Sequence, residues 1–340
     1  MDQYIIISPE AKGAFSDRLN FLYLALGNHI DKESMENRHL QYCKVFLSDA
    51  QNQKAALKES LLYTEFLSKQ ACTIVEQPPL NGSKISLLVK TTDDTTPIIF
   101  QSLRLNEEEA VGKTSYEQTR MLFDKYKKSV EGKGLTMERN LVRTWIYIAH
   151  IDVNYQGVVE ARNDVFDQEG LTANTHYIAS TGIGGSTPVH HAVVAMDFLT
   201  IPDIEETDKK YLQALDHLNP THEYGVAFER GTRVTLPDKQ QYFISGTASI
   251  DKHGDILYPH DIVKQTGRLL ENIGALLKDG NATMNDIRYF IIYLRDISDY
   301  QTVRHLMLQF YPQIPHIIVE ARVCRPGWLI EMECVAEKEA

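Results

Sequence analysis

Two glutamates in a stretch that is otherwise apolar, Glu331 and Glu333 in "WLIEMECVA" (328–336), carry the first chemistry that the chain suggests. Side chains alternate along a strand, so both carboxylates point one way while Ile330, Met332 and Cys334 point the other. Two acids on one face form either a solvated edge or the lining of a pocket. In a pocket, desolvation keeps a carboxylic acid protonated near neutral pH and makes it a proton donor. Arginine is the natural complement for an anionic substrate because its planar fork meets a carboxylate with two hydrogen bonds. Arg143 opens a strand-like run, Arg162 and Arg304 follow Tyr155 and Tyr300, and Arg230 follows an aromatic run. Each of the four reads equally well as a surface ion-pair partner.

The other candidates carry two readings each. "STGIGG" (180–185) sets Thr181 and Gly182 in a turn that either presents backbone N–H groups to an anion or merely connects strands. Tyr177 and Tyr224 are hydroxyl contacts or core residues. Cys324, seven residues before Glu331, reads by itself as a small buried hydrophobe. His190 and His191 are adjacent, which puts them on opposite strand faces, and they read as structural.

The elements that must position these residues are repeated. "QTRMLFDKYKKSVEGKGLTM" (118–137) aligns without gaps on "QTGRLLENIGALLKDGNATM" (265–284), with apolar residues coinciding at one face of an amphipathic helix. "RTWIYIAHIDVNYQ" (143–156) then lies on "RYFIIYLRDISDYQ" (288–301), and a second helix and a late strand follow in both copies. A weaker third copy opens the chain, where "CTIVEQPPLNGSKISLLV" (72–89) resembles "HIIVEARVCRPGWLIEMECV" (316–335) but the first helix is hard to find. The expected organisation is a degenerate repeat over 1–95, a second over 96–201, a connection or lid over 202–240, and a C-terminal unit over 241–340 carrying the acidic strand. The expected fold class is α+β, with mixed sheets and helices on one face of each.

Composition narrows the rest. Thirty-five basic against 46 acidic residues leave a net charge of −11, which argues against a nucleic-acid surface and confines any anion to a local arginine cluster. The four cysteines show no CxxC and no Cys/His ligand spacing, as expected of reduced thiols in a cytoplasmic chain without a metal site. The opening "MDQYIIISPEAKG" has an acid where a signal peptide needs positive charge, and no apolar run approaches the ~18 residues of a membrane span.

In "FISGTASID", "QTGRLLENIGALLKDGNATMNDI", "IIYLRDISDY" and "LIEMECVA", taken in order, the last unit resembles the Rid/YjgF superfamily of small reactive-intermediate deaminases. Over roughly residues 90–340 the chain is similar to the chorismatases, which are built on Rid-like units, through "RTWIYI", "EARNDVF", "ASTGIGG", "YGVAFERG", "SGTASI" and "VCRPGWLIEMECVA". That resemblance implies tandem Rid-like, chorismate-mutase-like units in an intrachain pseudo-trimer, as a monomer or a homo-oligomer. It implies hydrolysis of the enolpyruvyl ether of chorismate to pyruvate plus a dihydroxycyclohexadienoate or a hydroxybenzoate, with Glu331 as the catalytic acid and no cofactor. Arg143, Arg162, Tyr177, Thr181, Gly182, Tyr224, Arg230 and Arg304 are the expected substrate contacts. Cys324, the second expected catalytic residue, and Ala248, a further expected substrate contact, stand where the family associates residues with the choice of product. Two departures stand out: His316 follows Pro315 where simple Rid deaminases carry an arginine, and Phe228-Glu229-Arg230 replaces the usual Phe-Ser-Arg. The alternatives are an imine deaminase of the Rid type and a non-catalytic protein that binds a small carboxylate. No nucleic-acid or membrane partner is expected.

Overall fold

The computed structural model describes residues 1–10 and 12–339. The chain folds as three units of the same topology. The first runs β1 (Gln3–Ile7), α1 (Phe15–Met35), β2 (His39–Leu47), α2 (Ala50–Glu59), β3 (Ala71–Glu76) and β4 (Ile85–Thr92). The second runs β5 (Ile99–Leu103), α3 (Ser115–Glu131), β6 (Leu141–Ile148), α4 (Ile151–Gln168), β7 (Ala179–Gly184) and β8 (Val194–Thr200). Two short strands follow, β9 (Lys209–Tyr211) and β10 (Gly231–Thr235). The third unit comprises β11 (Lys239–Thr247), α5 (Ile262–Asp279), β12 (Ile287–Leu294), α6 (Tyr300–Phe310), β13 (His316–Glu320) and β14 (Ile330–Glu339). The sheet orders β1-β4-β2-β3, β5-β8-β6-β7 and β11-β14-β12-β13 are one pattern repeated, with the second and third strands of each unit parallel and the fourth strand antiparallel between the first and second.

The repeated Gln-Thr pair has a structural job. Gln118 and Gln265 are fully buried on α3 and α5, and each ties its helix to the loop leading into the last strand of its unit. Gln118 donates to the His191 carbonyl and accepts from Val193 N, both at 2.8 Å; Gln265 donates to the Gly327 carbonyl at 3.0 Å and accepts from Leu329 N at 2.9 Å. Thr119 and Thr266 each return a hydroxyl to the carbonyl four residues earlier, at 2.7 Å.

The first unit is not degenerate. Its first helix, α1, spans 21 residues and buries Leu19, Leu22 and Leu26. Phe21 and Leu24 are exposed on the same helix at 46% and 62%, so apolar residues stand on both faces and blur the helical period in the sequence. The segment 202–240 is also more ordered than a connection, because β9 and β10 extend the third sheet.

Strand alternation sends one face of each sheet to its own helices and the other to a shared interior. On β2, Cys43, Val45 and Leu47 pack under α1 and α2, while Phe46 joins a cluster with Trp145, Tyr147, Ile291 and Tyr293 from the other units. Backbone bonds at the ends of the third strands close the ring: Glu76 N to the Ser186 carbonyl, Gly184 N to the Arg322 carbonyl, and Glu320 N to the Pro78 carbonyl. Gly184 is required at this junction, since a Cβ there would lie 2.8 Å from the Arg322 backbone.

Candidate active site

Both faces of β14 are covered, one by α5 and the other by the second unit, so Glu331 and Glu333 are 4% and 2% exposed. The solvated-edge alternative therefore does not apply to either acid. Their surroundings differ. Glu333 is fully engaged, accepting from Arg143 at 2.8 Å and from the Trp145 indole at 2.9 Å. Arg143 also donates to Thr181 Oγ1 at 2.5 Å and Ser245 Oγ at 3.2 Å, and Thr181 accepts from Gly246 N at 2.9 Å. Glu331 instead faces a cavity of about 390 Å³ between the second and third units. Burial, and then the Glu333 charge, push its carboxyl up to about 8 against the pull of Arg143 and Arg230.

Glu331 is the only acid lining this cavity among the described residues, whereas three arginines line it. Arg162 on α4 is buried, its Nε and Nη2 lack any partner, and its guanidinium lies 5.5 Å from the Phe228 ring. Arg230 donates to the Asn219 carbonyl at 3.0 and 3.3 Å and lies over Tyr224 and Phe228. Arg325 sits between Tyr224 and Trp328, 4.9 Å from each ring, and donates to the Gly254 carbonyl at 3.1 Å. Aromatic faces hold guanidiniums in place without neutralising them, so the site keeps its positive potential for an incoming anion. Gly182 and Ala248 also line the cavity, as does Cys324, whose thiol burial raises to about 12, leaving it un-ionised.

Several expected contacts lie elsewhere. Arg143 and Thr181 are buried beneath the cavity and brace Glu333 and the Gly246 backbone. Tyr177 lines a neighbouring pocket with His176 and Tyr211, and Glu229 turns toward it, accepting from Tyr177 N at 2.8 Å. The acid in Phe228-Glu229-Arg230 therefore points away from the arginines. Arg304 is exposed on α6 and lines no part of the cavity. With Tyr155 set on Tyr300, Arg162 falls on Met307, which is buried in the core, and Arg304 falls on a different turn. Arg325 and Trp328 escaped the sequence reading although both stand in "VCRPGWLIE"; the signal was an arginine and an aromatic flanking Pro326-Gly327 just ahead of the acid.

The same position in the other units is not acidic. Glu331 pairs with Tyr293 on β12; the corresponding pairs are Ala195 with Tyr147, and Ser86 with Phe46. Among the described residues, only the second-to-third interface combines the acid with the arginines.

The comparisons with known proteins agree with this architecture. Residues 231–338 match the family described as Endoribonuclease L-PSP. A RutC family protein of Pyrococcus abyssi (strain GE5 / Orsay) is 32% identical over 99 residues, covering 28% of this chain and 78% of that protein. The chain belongs to this family, within the Rid/YjgF superfamily. A crystal structure of a chorismatase shares the fold over 87% of this chain and 92% of that one, with a TM-score of 0.67 and 17% identity. No helix among the described residues is long and apolar enough to cross a membrane.

Proposed function

We propose that the chain is a chorismatase, hydrolysing the enolpyruvyl ether of chorismate to pyruvate and a dihydroxycyclohexadienoate or hydroxybenzoate. The observation that carries this reading is a buried carboxyl held protonated near neutrality in a cavity whose other charged side chains are Arg162, Arg230 and Arg325. Chorismate brings two carboxylates, which guanidiniums can bind in bidentate fashion. Arg162, with two unpartnered nitrogens, is the best placed for one of them. Glu331 gives its proton to the methylene carbon of the enol ether, and the positive charge appears on the ether carbon as an oxocarbenium ion. Water adds to that carbon and returns a proton to the Glu331 carboxylate. The resulting hemiketal collapses to pyruvate and the ring alcohol, which is the dihydroxycyclohexadienoate; a hydroxybenzoate forms only when that ring also loses a hydroxyl and a ring proton as water and becomes aromatic. The carboxylate formed in the first step stabilises the cation beside it in a site of low dielectric.

The neutral Cys324 thiol and the small Ala248 face the same space, where they limit how the ring sits and so which bond of it is exposed to water. The deaminase alternative has less support. His316, where simple Rid deaminases have arginine, is half-buried with Nδ1 3.0 Å from the Ile314 carbonyl and lies outside the cavity. Incubating the purified chain with chorismate and following pyruvate with a coupled dehydrogenase tests the reading. Pyruvate release in step with chorismate loss supports it, and binding of chorismate without turnover would leave a carboxylate-binding protein instead.

A further inference from the structure

A second, smaller cavity lies where all three units meet. Equivalent first-strand residues, Tyr4, Phe100 and Phe243, contribute to its wall, together with Tyr42, Trp145 and Tyr289. Tyr4, Tyr42, Phe100 and Leu199 are partly exposed, so the space opens to solvent. Such a wall accepts a flat apolar body.

One charged group in that wall has no answer. Lys44, 1% exposed, lines the cavity, and its Nζ makes no hydrogen bond. The ammonium stands 4.9 Å from the Tyr147 ring centroid and 5.2 Å from that of Phe46, and neither ring lines the cavity. The charged groups that act on it are Glu333, Asp197, Arg143 and Arg104. These four neutralise one another as pairs, Arg143 with Glu333 at 2.8 Å and Arg104 with Asp197 at 2.9 Å. The other lysine of the wall, Lys90, is matched by Asp2 at 2.7 Å. Among the described residues, this leaves the Lys44 charge without a countercharge at the centre of the molecule. Burial lowers the Lys44 amine to about 8, which still leaves it charged at neutral pH. Cation–π contact offsets part of the cost of burying an ammonium; an anion offsets much more.

We propose that this axial cavity is a second binding site, taking a small aromatic monocarboxylate whose carboxylate meets Lys44 and whose ring packs among Tyr42, Phe100, Trp145 and Tyr289. The site is separate from the one that Glu331 lines and does not depend on the reaction run there.

The test is calorimetric titration of the full-length chain with benzoate, and with benzamide as the neutral isostere, in the Arg162→Met background so that the arginine-lined cavity contributes little. Benzoate should bind once per chain, at least ten-fold tighter than benzamide, and should quench Trp145 fluorescence. Lys44→Met should weaken benzoate by about ten- to hundred-fold, the usual loss of a charge-assisted contact. Leu199→Trp, which fills the rim while leaving the buried lysine untouched, should block benzoate if Lys44→Met does not fold. Absence of benzoate binding, equal affinity for benzamide, or benzoate binding that survives both variants would each overturn the proposal.

Discussion

A Cβ placed on Gly246 would stand 2.0 Å from Glu331 Oε1, closer than any real contact between such atoms. The backbone of β11 thus forms one wall of the slot that holds the carboxyl. Gly246→Ala should rotate Glu331 off its position while leaving the buried scaffold in place. We expect pyruvate formation from chorismate to fall at least a hundred-fold, with the far-ultraviolet circular dichroism spectrum unchanged. Wild-type turnover in this variant would show that the carboxyl position is not critical.

Glu331→Gln retains the volume of the side chain but has no transferable proton, so kcat should drop by about 10² to 10⁴ with little change in KM. In the wild-type chain the proton donor is lost as pH rises through about 8, and kcat should decline there by about ten-fold per unit. A flat kcat profile between pH 7 and 10 would assign the proton to another group.

The same carboxyl makes stability depend on pH in a defined direction. Its folded-state value, about 8, lies above its ordinary 4.5, so across that window the folded chain keeps a proton that the unfolded chain has lost. Stability contributed at this position is greatest below 4.5 and falls as pH rises toward 8, by about 1.4 kcal/mol per unit at most. Glu331→Gln cannot pay this penalty, and its melting temperature should exceed that of the wild type by a margin that widens from pH 5 to pH 8. Parallel melting curves at the two pH values would contradict the burial argument.

For anion recognition, Arg162→Met should raise KM for chorismate roughly ten- to hundred-fold, because a charge-assisted contact is typically worth ~1.5–3 kcal/mol. Arg304→Ala serves as the matched control on the other helix and should leave KM within two-fold of the wild type. Steady-state kinetics on both variants separates a lining arginine from an exposed one.

Arg143 and Glu333 are each 2% exposed and answer one another. Removing Arg143 alone, as Arg143→Met, strands a buried carboxylate and should cost about 3–5 kcal/mol in urea unfolding. Arg143→Met combined with Glu333→Gln should restore much of that loss. If the double variant is no more stable than the single one, the pair is not what holds the interface.

How far the sequence disclosed this arrangement depended on whether a residue's role was local. The Gln-Thr pairs, the strand alternation around Glu331 and the aligned helices α3 and α5 are short-range signals, and they led directly to the repeated α+β fold. Helix α1 stayed hidden because Phe21 and Leu24 add apolar residues to its outer face. Arg304 follows Tyr300 as Arg162 follows Tyr155, but membership of a cavity between two units depends on helix phase relative to the neighbouring unit, and Met307 stands where Arg162 does. Arg325 could not be singled out because its value lies in two rings, Tyr224 and Trp328, that come from different segments. Burial of Glu333 beneath Arg143 joins residues 190 positions apart, a contact with no local trace.

The Ala195 and Ser86 that stand in for Glu331 in the other units also bear on stoichiometry. An assembly of three identical units carries every substitution at three interfaces, so an interface cannot be tuned without altering its copies. Joining the units in one polypeptide frees each interface to drift alone. One seam can hold an acid among arginines while the equivalent positions of the other two hold alanine and serine. A tight-binding ligand directed at Glu331 should therefore titrate the chain at a single equivalent.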